Sequence, residues 1–135
     1  MTITHVNPDT MYNSLAFGFS HGSISDGGRM LHLAGQVAWD KDQNVVGGDD
    51  LAAQTRQALA NLREVLVSQG ASPADLVRIR TYVVNHSPDK LEAVAGEMMA
   101  FYGDAMPAPN TWIGVQALAL PDFLIEVEGT AILPA

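Results

Sequence analysis

The chain has 135 residues, which fits a single domain over residues 1–135 and argues against a separate cofactor-binding domain. Hydrophobic residues make up 47% of the chain, as in ordinary globular proteins. There is no Cys, which excludes disulfides, thiolate zinc sites and cysteine nucleophiles. Seven Lys and Arg against 15 Asp and Glu give a formal net charge of −8, and so acidic a surface argues against nucleic-acid binding.

Residues 1–12 are polar and lack the basic and apolar regions of a secretory signal. No apolar run approaches the roughly 20 residues that span a bilayer. We therefore expect a soluble, cytoplasmic protein with no membrane partner.

The first third of the chain predicts a β-hairpin followed by a loop. Residues 17–24 hold apolar side chains among Gly and Ser and weakly predict a strand. Residues 25–28 (SDGG) are a turn signal, and residues 29–37 predict the returning strand. Residues 40–48 are polar and end in two glycines, which predicts a loop.

Two amphipathic helices follow. Asp49 or Asp50 supplies a capping carboxylate, and an apolar stripe at helical period then runs as far as Gly70. Residues 72–75 (SPAD) predict a short turn. A second helix is predicted to start at residues 87–89 (SPD) and to end at Gly103.

Three further strands are predicted, over residues 76–85, 111–120 and 123–133. The first of them alternates, so that Val77, Ile79, Thr81 and Val83 face one way and Arg78, Arg80 and Tyr82 the other. The order β-β-α-β-α-β-β predicts an α/β (α+β) domain with both helices on one face of a mixed sheet. The other sheet face is then available to pack against copies of the same chain.

The strongest chemical signal lies on the last predicted strand, where Glu126 and Glu128 share a face. Burial among Leu, Ile and Val would raise the pKa of these carboxyls, as a general acid or base requires. The alternative is a solvated face with two ordinary glutamates. The four His have no metal-ligand spacing, so no metal site is predicted.

Four segments together resemble the RidA/YjgF family of reactive-intermediate deaminases. Residues 33–37 (LAGQV) are similar to its "SGQ" strand, and residues 54–62 (QTRQALANL) to its first helix. Residues 82–84 are similar to its central strand, and residues 114–128 to a signature ending in "IEIEA". The resemblance covers nearly the whole chain in order.

The resemblance implies a chorismate-mutase-like fold and a homotrimer whose sheets form a central barrel, with ligand clefts between subunits. It also implies hydrolysis of imines and enamines to ketoacids and ammonia. We expect this chemistry to need neither a metal nor an organic cofactor.

The site residues of the family carry over unevenly. Glu126 matches the glutamate that orients the attacking water, and Gly35 keeps the backbone N–H of the "SGQ" strand. Ala34 stands in place of the Ser in that motif, and Phe19 in place of a Tyr that lines the cleft. The Arg that binds the substrate carboxylate is replaced by Asn110, which offers no charge.

Two more residues are candidates for the cleft. Trp112 alternates with Asn110 and either narrows the cleft or packs in the core or at a subunit contact. Arg80 is a hypothetical substitute for the missing charge, reaching the cleft from another subunit. Without such a charge, we expect a ligand less anionic than a 2-imino acid.

The sequence thus predicts a trimeric hydrolase of a small imine, enamine or related C–N substrate, in which Glu126 positions water. The alternative is a trimer that binds a small metabolite without catalysis, in a regulatory or sensing role. A ribonuclease is a weaker third interpretation, because the chain is acidic and lacks a basic groove.

Overall fold

A computed structural model describes residues 3–135. Its strands and helices, in chain order, are β1 (Ile3–Val6), β2 (Gly22–Ser25), β3 (Met30–Gln36), α1 (Leu51–Ser68), β4 (Leu76–Val84), α2 (Leu91–Tyr102), β5 (Asn110–Val115) and β6 (Ile125–Ile132). Short 3-10 helices span Ser14–Phe17, Pro73–Asp75 and Pro88–Lys90. Within residues 3–135, no helix is long and apolar enough to cross a membrane.

The main sheet has four strands in the order β3-β6-β4-β5. β6 runs antiparallel to both β3 and β4, whereas β4 and β5 are parallel and α2 makes the crossover between them. Both helices pack on one face, as predicted. The core between helices and sheet includes Leu59, Leu62, Leu66, Ile79, Val83, Val94, Met98, Ile125 and Val127. The mixed α+β class is therefore confirmed.

The predicted hairpin between residues 17–24 and 29–37 is wrong. β2 pairs with β1, from Ile3↔Ser25 to Val6↔Gly22, and β1 was not predicted at all. A 3-10 turn ends at Gly18, whose φ of +86° reverses the chain, so the strand begins only at Gly22. β2 then docks beside the start of β4, where the Ser23 hydroxyl donates to the Val77 carbonyl at 2.6 Å.

The last two strands are shorter than predicted. β5 stops at Val115 because its partner β4 ends at the same level, where Val84 faces Val115. Residues 116–124 therefore form a connection, and β6 begins only at Ile125. The first helix keeps its predicted start, since the Asp50 side chain accepts from the Ala53 amide at 3.2 Å.

Two polar side chains of α1 form hydrogen bonds with the loop that follows β3 and with the loop that leads into β6. Gln54 is completely buried; its Nε2 donates to the Gly48 and Asp122 carbonyls at 2.7 and 2.9 Å, and its Oε1 accepts from the Leu124 amide at 3.0 Å. Asn61 donates to the carbonyls of residues 37 and 39, both at 2.8 Å. The helix thus fixes both the end of β3 and the approach to β6.

We predict that Gln54→Met destabilises the protein, because the Gly48 and Asp122 carbonyls and the Leu124 amide lose the buried side chain that joins them. A typical hydrogen bond contributes about 0.5–1.5 kcal/mol to stability. Urea unfolding at a fixed protein concentration measures the loss. Gln69→Met is the control, because Gln69 is exposed and its side chain donates only to the Ser68 hydroxyl. Equal midpoints for the two variants would contradict the prediction.

Candidate functional site

The carboxylate of Glu126 lies directly over the backbone of Gly35. The register of β3 against β6 shifts between Leu33 and Gln36, which brings Gly35 up to Glu126. A Cβ at position 35 would lie 2.6 Å from Cδ and 2.8 Å from Cγ of Glu126, closer than real Cβ contacts allow. Only glycine leaves room for the carboxylate at this place.

Glu126 and Gly35 open into a cavity of about 760 Å³. Its other lining residues are Gln36, Val37, Trp39, Asp40, Lys41, Asn61, Glu64, Ala119, Leu120 and Phe123. The rings of Trp39 and Phe123 meet edge to face at 5.1 Å and form an apolar wall, and Lys41 brings a cation. We call this the Glu126 cavity.

Burial raises the pKa of the Glu126 carboxyl, and the negative charge of Glu128 raises it further. Glu128 accepts a hydrogen bond from the Tyr82 hydroxyl and lies 3.9 Å from a nitrogen of Arg80. That hydrogen bond is the main cause of a raised pKa at Tyr82, with burial second. Glu126 thus has the perturbed carboxyl that acid–base chemistry requires.

A second cavity, of about 440 Å³, collects three other predicted site residues: Phe19, Asn110 and Trp112. Asn110 Oδ1 accepts from the Thr81 hydroxyl at 3.1 Å, and Trp112 Nε1 donates to His86 Nδ1 at 3.2 Å. Trp112 lines this cavity and is partly buried against the core. We call this the Asn110 cavity.

Arg80 belongs to neither cavity. It lies on the sheet face away from the helices, opposite Glu128 in the pairing of β4 with β6, in a shallow depression that Arg78 and Thr130 also line. Within one chain, the predicted site residues therefore lie in three separate places: the Glu126 cavity, the Asn110 cavity and the depression beside Arg80. Across residues 3–135, no group of three or more His, Asp or Glu side chains is placed to hold a metal ion.

The sequence did not single out Trp39, Lys41 or Phe123 as site residues. Trp39 and Lys41 lie in or beside the segment interpreted as a plain loop, and Phe123 was assigned to a strand. The available signal was their position: each lies a few residues from Gly35 or Glu126 along the chain, where the loops meet the strand ends.

A sequence model of the family described as endoribonuclease L-PSP matches residues 12–133. The chain belongs to this family, which is the Rid/YjgF family. A RutC family protein of Pyrococcus horikoshii is 31% identical over 106 residues, which cover 77% of this chain and 79% of that protein. The resemblance drawn from the sequence is confirmed.

Solved structures of Rid/YjgF proteins share the fold. A Rid-family protein of unknown function from Yersinia pestis, YyfB, is 59% identical, with a TM-score of 0.95 over 98% of this chain and 100% of that one. A Mycobacterium tuberculosis member of the YjgF family is 30% identical, with a TM-score of 0.64 over 98% and 100%. Escherichia coli TdcF, solved with bound serine, is 19% identical and matches in fold, with a TM-score of 0.70 over 85% and 87%.

We predict that Glu128→Gln lowers the pKa of Glu126 and leaves it above that of an ordinary glutamate. The substitution removes the neighbouring charge, whereas the burial remains. A carbon-13 NMR titration of the Glu126 carboxyl measures the change. Glu64→Gln is the control, because Glu64 lines the same cavity without contributing to the shift. A rise or no change with Glu128→Gln would contradict this account.

The raised pKa of Glu126 also predicts a pH-dependent stability. The folded state binds the proton more tightly than the unfolded state, so this contribution is complete below the unfolded pKa of about 4.3. It is lost as the pH rises through the folded pKa. Glu126→Gln, which stays uncharged, should therefore be more stable than the wild type at neutral pH, with the difference vanishing in acid. Urea midpoints across pH test this, with the exposed Glu92→Gln as control.

Proposed function

We propose that the chain hydrolyses a small imine, enamine or related C–N substrate in clefts between the subunits of a homotrimer. One observation carries the proposal: a carboxyl with a raised pKa lies against a glycine backbone inside a cavity of substrate size. No cofactor is part of the scheme, because water and one acid–base group suffice for this reaction.

The chemistry requires one group to take and return protons. Water adds to the carbon of the C=N bond as the Glu126 carboxylate takes one of its protons, and Glu126 returns that proton to the nitrogen to give a neutral carbinolamine. The carboxylate then takes the hydroxyl proton of the carbinolamine and passes it to the nitrogen, so that ammonia leaves and the carbonyl forms. A pKa raised towards neutrality suits Glu126 to both steps. The Gly35 backbone and Trp39 border the space in which the ligand would lie.

A trimer would complete this site. Glu126 and Gly35 line one cavity of the chain, and Phe19, Asn110 and Trp112 line another. A ring of three subunits in which the Glu126 cavity of one meets the Asn110 cavity of the next joins all five residues. The sheet face away from the helices, which carries Arg80, then lies towards the other copies. Whether Arg80 reaches a cleft stays a hypothesis of this scheme.

The second candidate function is a trimer that binds a metabolite without catalysis. The observation in its favour is Asn110, since a neutral amide cannot bind a substrate carboxylate as a guanidinium does. We do not propose ribonuclease activity, because a net charge of −8 repels a phosphate backbone.

We predict that the protein accelerates the decay of imines, and that Glu126→Gln reduces the acceleration by about 10²-fold or more. Amino-acid and amine oxidases generate 2-iminobutyrate and other imines, whose disappearance is followed with and without protein. Glu92→Gln is the control, because this exposed glutamate lies outside both cavities.

No acceleration of any imine would overturn the hydrolase and favour the binder. Light scattering tests the assembly independently: we expect the mass of three 14.4 kDa chains. A monomer would refute the shared cleft.

A further inference from the structure

The Asn110 cavity has walls that are almost entirely apolar and carry no formal charge. Tyr12, Phe17 and Phe19 form one side and Trp112 another, and α2 contributes apolar side chains that include Met98. Its volume of about 440 Å³ is within the range of small-molecule sites and accommodates a six-membered ring with a short side chain.

The aromatic side of this cavity is held in place by contacts outside it. Asn7 Oδ1 accepts from the His21 amide at 2.9 Å and from the Ser14 hydroxyl at 3.2 Å, which fixes both ends of the segment between them. The Tyr12 ring stands edge-on to Phe17 and Phe19, with centroids 6.3 and 6.5 Å away. The wall is therefore formed before any ligand arrives.

Asn110 is the polar side chain through which this cavity would hold a ligand. Its Oδ1 already accepts from the Thr81 hydroxyl, and Thr81 is completely buried. The Nδ2 group is thus left to donate to a ligand acceptor. A carbonyl, hydroxyl or imine nitrogen satisfies this donor, whereas a carboxylate would lose its hydration without gaining a cation from the residues that line this cavity. The net charge of −8 disfavours an anion further.

We propose that the Asn110 cavity selects ligands that have an aromatic or bulky apolar group and no negative charge. Within the proposed function, on which this assignment of substrate rests, the substrates are N-unsubstituted imines formed from arylalkylamines rather than 2-imino acids. The reaction is then R–CH=NH + H₂O → R–CHO + NH₃, with no oxidant or reductant. The ligand preference itself is measurable whether or not the protein is a catalyst.

Two ligands that differ only in charge test the preference. Phenylacetamide and phenylacetate share the ring and the chain, and titrations of each follow the indole N–H signal of Trp112 by ¹⁵N NMR. The backbone amide of Gln69 is the internal reference, because this exposed residue lies outside both cavities. We expect phenylacetamide to shift the Trp112 signal and to bind at least about tenfold more tightly. Equal or tighter binding of phenylacetate, or no shift at Trp112 with either, would overturn the proposal.

Substitutions at Asn110 test the residue. Asn110→Asp removes the donor and adds a negative charge, so phenylacetamide binding should fall; Asn110→Arg adds a cation, so phenylacetate binding should rise above that of phenylacetamide. Asn85→Asp is the control, because it makes the same chemical change at an exposed position outside both cavities. An unchanged preference in Asn110→Arg, with the fold retained by circular dichroism, would contradict the assignment.

Turnover separates this proposal from the proposed function. Amine oxidase acting on 2-phenylethylamine yields an imine without a carboxylate, and amino-acid oxidase acting on phenylalanine yields the matching 2-imino acid. Faster hydrolysis of the first supports both proposals. Faster hydrolysis of the second keeps the hydrolase and overturns the preference. Preferential binding of phenylacetamide with no turnover keeps the preference and overturns the hydrolase.

Discussion

The buried side-chain amide of Gln54 is the constraint on which the rest of the site depends. Its three hydrogen bonds tie α1 to the loop before it and to the connection that leads into β6. Two turns along the same helix, Asn61 holds the backbone that follows β3. Glu126 and Gly35 lie on the two strands so fixed. The helix therefore sets the distance between them, although neither Gln54 nor Asn61 needs to touch a substrate.

The position of Glu126 against the Gly35 backbone goes together with a raised pKa of its carboxyl. The carboxyl is partly withdrawn from water and stands two residues from another glutamate on the same strand face, so its protonated form is favoured more than in solvent. Burial therefore destabilises the folded protein when Glu126 is charged, and the packing of the surrounding core keeps the carboxyl in this position. Carboxyls with shifted pKa values cluster at functional sites.

Much of the fold could be predicted from the sequence, because the spacing of apolar residues and the capping residues of a helix are local features of the chain. Both helices, β4 and the shared face of Glu126 and Glu128 follow from spacing alone. The pairing of β2 with β1 does not, because strand partners are chosen by contacts distant in sequence, here including Ser23 with Val77. Nor does the burial of Gln54, whose residue type is ordinarily found at the surface. The separation of Phe19 and Asn110 from Glu126 likewise needs coordinates.

That separation has a consequence for how such a protein can diversify. The carboxyl that would do the chemistry sits on β6, whereas the aromatic wall is built by the segment between Asn7 and His21 and fastened from outside the cavity. Substitutions in that segment can reshape the wall without disturbing the hydrogen bonds around Glu126. Ligand choice and reactivity can then evolve as separate traits on one small scaffold.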